Sequence, residues 1–262
     1  MSDQTKETAK EIRKTVLSMI YKAQVSHIGS NLSCIDILTV LYSKADFKKD
    51  KLVVSKGWVA ASVYALNVKY GLMPQEATDT FCIGESKYIG LIEPMGVFGC
   101  ETASGSMGLG FPSAVGLALA KKLKGEEGMV YCLMSDGELQ CGTTWECVLI
   151  AGKHKLDNLV VIIDDNGLQA MGKTEDILPT PIHWINEGWK PIAINGHSHD
   201  EIQRALDGNA KLPLSWHKEK RPLYIPAKTI KGKGVSFMEN NNLFHYKAPN
   251  KDEYEEALKE LQ

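Results

Sequence analysis

Two apolar runs, Met129–Met134 and Leu159–Ile163, contain no charged residue, and they constrain the fold more than any other feature of the chain. A strand with one wet face alternates polar with apolar residues. A strand that is apolar throughout is buried on both faces, which indicates a parallel sheet covered by helices above and below. The flanking pattern agrees. Helical periodicity covers Ser113–Leu123 and Thr143–His154, and a further round follows: a helix near Pro181–Glu187, a strand at Pro191–Ile194, a helix from His199 to about Leu206 and a strand at Leu223–Thr229. Upstream, Ile12, Val16, Met19, Ile20 and Ala23 mark an amphipathic helix. Ser33 reads as the N-cap of a second helix after a loop holding His27, Gly29 and Ser30. Leu52–Ser55 reads as a short strand and Val59–Tyr70 as a helix stopped by Gly71. Pro74 opens another short helix, and residues 84–100 read as a long ordered loop. The expected class is α/β, in one domain over residues 1–262.

The 30 basic and 32 acidic residues leave a net charge of -2, so no global field favours nucleic acid or an anionic membrane. An anionic ligand must be held locally. The six cysteines form no CxxC pair, and Cys34 and Cys132 lie in apolar runs as buried thiols do, which points to a reducing compartment. The first twenty residues lack the pattern of a leader, and no apolar run reaches membrane-spanning length, so the expected location is the cytoplasm.

Ligands of open parallel sheets collect where strands end. Two exits are unusual: one strand runs into Ser135-Asp136-Gly137-Glu138 and the other into Asp164-Asp165-Asn166-Gly167-Leu168. Asp136 offers a carboxylate and Asn166 an amide oxygen, hard ligands for magnesium or calcium, each followed by a glycine that permits close approach. Asp-Gly and Asn-Gly are also common turn pairs, so neither exit alone specifies a site. A glycine-rich turn, Ala103 to Gly110, leads into a helix and can present backbone N–H groups. Its glycines fall as GxxGxG instead of GxGxxG, which argues against a nicotinamide-dependent oxidoreductase.

The combination is more specific than its parts. Asp136 and Asn166 stand thirty residues apart, with Trp145-Glu146 on the helix between them. This resembles the thiamin-diphosphate motif, GDG followed some thirty residues later by Asn, in the form found in transketolases. Ser26-His27-Ile28-Gly29 resembles the family's SGHxG loop, Val54 to Gly57 its LSKG turn and Ala103 to Gly110 its STGSLGQG segment. Lys228 to Glu239 resembles the KTxKGKGVSFME stretch of split-subunit transketolases, with their histidine following as His245.

The resemblance implies thiamin diphosphate and a Mg2+ (or Ca2+) ion held by Asp136, Asn166 and the carbonyl of Leu168, an oxygen set that suits magnesium. Gly137 and Glu138 would lie by the diphosphate, and Gly105, Ser106 and Met107 along the aminopyrimidine. His27 and His245 would stand beside the reacting carbon, His245 also touching the cofactor, where imidazole moves protons near neutral pH. His154 and His197 match family positions as structural residues, and Lys231 and Lys233 read as solvated turn residues. The resemblance also implies absent pyrimidine-binding and C-terminal domains. These are expected on a partner chain that supplies an activating glutamate, in a two-fold heterotetramer.

Departures from the family pattern bear on the substrate. Trp58 follows the LSKG-like turn where a histidine is usual, and an ungapped count places Leu91 at a second histidine position. Ser135 replaces the first glycine of the motif and Cys141 a glutamate of the subunit-interface network, while Glu146 is kept. Two sugar-binding polar groups thus become apolar, which suggests a non-standard donor: an unusual ketose or a 2-oxo acid such as pyruvate. The alternative is a non-catalytic regulatory or scaffold subunit.

Overall fold

The computed structural model describes residues 2–177, 184–207 and 219–262. The chain opens with α1 (Ser2–Ala23) and α2 (Ile28–Lys44), then β1 (Lys51–Val54), a 3-10 turn and α3 (Ala60–Lys69). After the short α4 (Glu76–Asp79) a long connection leads to α5 (Gly110–Lys124), β2 (Val130–Ser135), a second 3-10 turn over Asp136–Gln140, α6 (Gly142–Lys153) and β3 (Leu159–Asp165). A two-stranded ribbon of β4 (Leu168–Gln169) and β5 (Gly172–Lys173) precedes α7 (Thr174–Ile177). The remaining described elements are β6 (Lys190–Pro191), β7 (Ile194–Asn195), α8 (His199–Leu206), β8 (Leu223–Lys228), a 3-10 turn over Asn242–His245 and α9 (Lys251–Glu260).

The main sheet runs β1-β2-β3-β8-β6, with β7 also on β8, and every pairing is parallel. The unbroken strands behave as their composition requires. Tyr131, Leu133, Val160 and Ile162 point into one core with residues of α1, α2, α3 and α8. Their neighbours Cys132, Met134, Val161 and Ile163 point into a second core with Phe111, Val115, Val148, Trp184 and Trp189. Alternating side chains thus feed two apolar layers, each covered by helices.

Three expectations need correction. Ser33 does not cap α2: the helix starts at Ile28, and Ser33 lies within it, fully buried, with its hydroxyl donated to Ser30 O at 3.0 Å and to Asp164. The cap position falls to His27, so the expected loop shrinks to a turn. The strand expected at Pro191–Ile194 is split into β6 and β7. The break lies opposite Ile225 and Pro226 of β8, and proline supplies no N–H to a ladder. Of the helix expected near Pro181–Glu187, residues 181–183 lie outside the described residues, and Trp184–Gly188 form turns.

Candidate functional site

The sheet delivers its chemistry to one rim. The carboxyl ends of β1, β2, β3 and β8 present Ser55 and Lys56, Asp136, Asp164 and Asn166, and Thr229 and Lys231 respectively. Of these, Ser55, Lys56, Asp136 and Asn166 line a cavity of about 310 Å³ whose wall also includes His27, Trp58, Gly105, Met107, Gly137, Glu138, Leu168 and His245, whereas Asp164, Thr229 and Lys231 are not on its wall. Ser106 and Leu91 are not on that wall. Ser106 is exposed, and the Leu91 carbonyl accepts a hydrogen bond from the Tyr64 hydroxyl at 3.2 Å.

Glycines let three turns converge there. A Cβ on Gly57 would stand 2.0 Å from Ser104 O, and one on Gly110 would stand 2.5 Å from Ser55 Cα. The Gly57 carbonyl accepts from Ile92 N at 3.1 Å, and Ile92 O accepts from Ser104 N at 3.3 Å, which stitches the glycine-rich loop to the turn after β1. Glu138 completes the seam. It is 0% exposed and accepts from Ser55 Oγ, Gly108 N (3.1 Å), Ser135 N (2.8 Å) and Ser135 Oγ (3.1 Å). Ser135, which replaces a family glycine, thereby gains a structural role, because its side chain and the Glu138 carboxylate form a capping box.

Below the cavity lies a buried polar knot. Asp164 is 0% exposed and accepts from Ser33 Oγ at 2.6 Å, from Thr229 Oγ1 and from Lys56 Nζ, which also donates to Ser30 O at 3.1 Å. Burial would raise the carboxyl pKa, but the Lys56 ammonium and the two hydroxyl donors hold it below the ordinary value. Among the described residues Asp136 has no cation within ion-pair distance. Burial and the Asp164 charge push it up to about 7, against the pull of the Gly167 N–H at 2.5 Å and of Lys56.

Asp136 and Asn166 sit at adjacent strand exits. Asn166 Oδ1 accepts from Leu168 N at 3.0 Å, which folds the loop back towards the cavity. Among the described residues no three His, Cys, Asp or Glu side chains converge on a point. A cation here would therefore rest on one carboxylate, one amide and a backbone carbonyl, with ligand oxygens completing the shell. That donor set fits magnesium bound together with a diphosphate. Ser104 Oγ, buried in the cavity wall, has no hydrogen-bond partner among the described residues, so a polar ligand group would find an acceptor or donor waiting.

Two histidines face each other on the opposite wall. His27 holds a left-handed backbone (φ 73°), a conformation tolerated by few residues other than glycine, and its N–H donates to His245 O at 2.9 Å. The rings lie 4.7 Å apart, and Trp58 stacks on His27 at 4.6 Å and 8°. Burial and the charges of Lys231 and Lys56 lower His27 to about 4. Burial, Lys231, His27 and Lys56 lower His245 to about 3, so both rings are neutral at pH 7.

Lys231 is not the solvated turn residue expected: it is 0% exposed, and its Nζ lies 2.7 Å from His245 Nδ1. The K-G-K-G pattern hid it, because alternating lysine and glycine usually marks a surface turn. The legible signal was the invasion of apolar residues after it, Val235, Phe237 and Met238, two of which are fully buried. Lys233 does remain a turn residue and pairs with Glu239 at 3.1 Å. His197 is structural: its Nδ1 pairs with Asp36 Oδ2 at 2.7 Å and its Nε2 accepts from Ile230 N at 2.9 Å, beside the Arg13 fork on the same carboxylate. His154 is an exposed residue at the end of α6.

Comparison with known proteins places this geometry. The family described as "Transketolase, thiamine diphosphate binding domain" matches residues 4–261. One subunit of the apulose-4-phosphate transketolase of Phocaeicola vulgatus is 34% identical, the match covering 95% of this chain and 90% of that protein. The 6-deoxy-6-sulfo-D-fructose transketolase subunit SqwG of a Clostridium species is also 34% identical, over 97% of this chain and 94% of its own. A solved transketolase from Campylobacter jejuni superposes with a TM-score of 0.88 at 28% identity, covering 98% of this chain but 42% of that one.

Proposed function

The chain belongs to the transketolase thiamine diphosphate binding domain family, and from that premise we propose that it is the diphosphate-binding subunit of a two-chain ketol transferase. The observation that carries this reading is the convergence of Asp136, Asn166, Gly137, His27 and His245 on one cavity at the strand ends. Thiamin diphosphate, when bound, supplies the nucleophilic carbon that makes and breaks the carbon-carbon bond. The chain supplies the rest. Asp136, Asn166 and the Leu168 carbonyl would hold magnesium, and Gly137 would give the diphosphate close access to backbone. Gly105 and Met107 would wall the aminopyrimidine, with Ser106 at the outer edge of that loop.

His27 and His245, both neutral, are suited to donate or accept a proton at the substrate oxygen. Burial leaves the imidazolium form scarcely populated at pH 7, so neither ring waits as a cationic acid. A catalytic role fits these costly features better than a scaffold role: a left-handed histidine and two desolvated rings serve no packing need that leucine would not meet.

The names of the two relatives, each a transketolase subunit, support a partner chain that carries the pyrimidine-binding half and its glutamate. The solved transketolase chain is more than twice as long as the segment matched here. A two-fold heterotetramer in the cytoplasm is the assembly proposed, and six free cysteines suit a reducing compartment. The names also mention sugar-derived ketoses, which supports a ketose donor. Trp58, 43% exposed and stacked on His27, supports a non-standard one, because indole replaces polar wall where hydroxyls would bind. A 2-oxo acid donor is the second reading favoured by the same residue.

Calorimetry should show thiamin diphosphate binding that needs magnesium and is lost in Asp136→Ala. Donor screening should show turnover only in the presence of the partner chain. Turnover by the isolated chain would refute the two-chain reading, and brisk use of xylulose 5-phosphate would refute the non-standard donor.

A further inference from the structure

Among the described residues, the buried cations of this protein have carboxylate partners, with one exception. Arg13 has Asp36 and Lys56 has Asp164. No carboxylate oxygen of the described residues lies within ion-pair distance of Lys231, although its side chain is wholly enclosed. Its Nζ meets a ring nitrogen instead, His245 Nδ1 at 2.7 Å, with Asn242 Oδ1 at 3.4 Å as a second, longer contact.

The backbone fixes this placement. Asn240 N donates to Lys231 O at 2.9 Å, and Gly232 N donates to Gly29 O at 2.9 Å. A Cβ on Gly29 would lie 3.2 Å from Lys231 Cγ, so the lysine stem fills the space that this glycine leaves. An ammonium has three donors and no acceptor. Nδ1 of His245 must therefore accept, and the proton of the neutral ring sits on Nε2, the nitrogen left free for the cavity.

Resting on the function proposed above, we propose that Lys231 is a positioning residue and proton reservoir for His245, fixing the Nε2–H tautomer and refilling the ring when Nε2 gives its proton to a substrate oxygen. The step balances without any redox partner. The Nε2–H bond breaks as the substrate O–H bond forms, while Lys231 Nζ–H breaks and Nδ1–H forms, leaving a neutral amine and a neutral imidazole. The reverse transfer, or solvent, restores the ammonium. His27, 4.7 Å away, has a neutral hydroxyl in place of an ammonium: its Nδ1 meets Ser26 Oγ at 2.6 Å. The two histidines are thereby given different roles.

The electrostatic setting is compatible with a lysine that can release a proton. Facing it are Lys56 from the end of β1, Asp136 and Asp164 from β2 and β3, His27 before α2 and His245 itself. Burial and Lys56 lower Lys231 to about 8, against the pull of the two aspartates.

Nitrogen NMR of the 262-residue chain labelled in histidine tests the arrangement without substrate. Wild type should show His245 with a bare Nδ1 and a protonated Nε2 at pH 7. In Lys231→Met, an apolar replacement of similar length, the ring should titrate more than a pH unit higher than in wild type. Protonated Nδ1 in wild type, or an unmoved titration in the variant, overturns the proposal. In the presence of the partner chain, Lys231→Met should lower kcat about a hundredfold with little change in KM. Lys231→Arg keeps the donor but cannot release a proton, so it should keep the tautomer and still lose kcat. Wild type should lose rate above about pH 8 as Lys231 deprotonates, and both variants should lack that limb; its absence in wild type or its survival in either variant contradicts the reservoir. Absence of any thiamin-dependent turnover in wild type would refute the functional reading instead, while the NMR result would still decide whether Lys231 sets the tautomer.

Discussion

Asp164 shows how a single carboxylate can organise a site that it does not line. It is enclosed completely, yet three side-chain donors, the Lys56 ammonium among them, keep it ionised. Removing one partner of a buried pair strands the other, at a cost of about 3–5 kcal/mol. Asp164→Asn should therefore lose stability of that order in urea denaturation, and a loss under about 1 kcal/mol would show that water relieves Lys56. The site histidines set a pH dependence. Each is ordinarily near 6.5 in the unfolded chain and falls to about 4 or about 3 when folded. Between those limits the unfolded chain binds protons that the native state refuses, so stability falls as pH drops from 6.5 towards 3 and is flat above 6.5. Asp136 opposes this, because its raised pKa makes the native state hold a proton up to about 7. Comparing the melting temperature of His245→Asn with wild type at pH 5 and pH 7.5 isolates the histidine contribution. The variant should lose less on acidification, and an equal loss would refute the neutral-ring assignment. Such effects were invisible in the sequence, where motif spacing could locate His27 and His245 but burial and the Lys231 contact had no local signature.

At the scale of elements, glycine placement decides whether the turns around the cavity close. Gly57 lies against Ser104 O, so Gly57→Ala forces the glycine-rich loop outward by more than a rotamer change can absorb. The expected cost is about 1–3 kcal/mol, read by chemical denaturation, with weakened cofactor binding beside it. Unchanged binding would show that the loop closes again on ligand. The strongly periodic elements were legible in advance. β2, β3, α5, α6 and α8 fall within about three residues of their expected bounds, because uninterrupted apolar runs leave little choice of register. Ser33 misled for a physical reason. Serine before an apolar run usually caps a helix, but here a buried aspartate 131 positions away recruits its hydroxyl, and no local rule anticipates that. Pro226 likewise broke the strand beside it, although a proline inside an apolar run was itself a warning.

For the molecule as a whole, all the chemistry lies on one rim of a parallel sheet, while the two cores beneath supply rigidity. That division was legible from the alternation of strands and helices, whereas the polar knot under the rim was not, since its members are far apart in sequence. Ser33, Lys56 and Thr229 reach Asp164 across 131, 108 and 65 positions. The knot therefore has a kinetic meaning: it cannot exist in a partly folded chain, because β8 must dock before Thr229 arrives, and contacts of such sequence separation form late. A ligand of the cavity would then recognise only the finished fold. Magnesium with thiamin diphosphate should slow unfolding and leave the refolding rate unchanged, since a late-forming site stabilises the native state without touching the barrier to reach it. Stopped-flow refolding with and without ligand would reveal faster refolding if the site were already assembled in the transition state. Newly made chains would accordingly fold without help from the cofactor and acquire it as a last step.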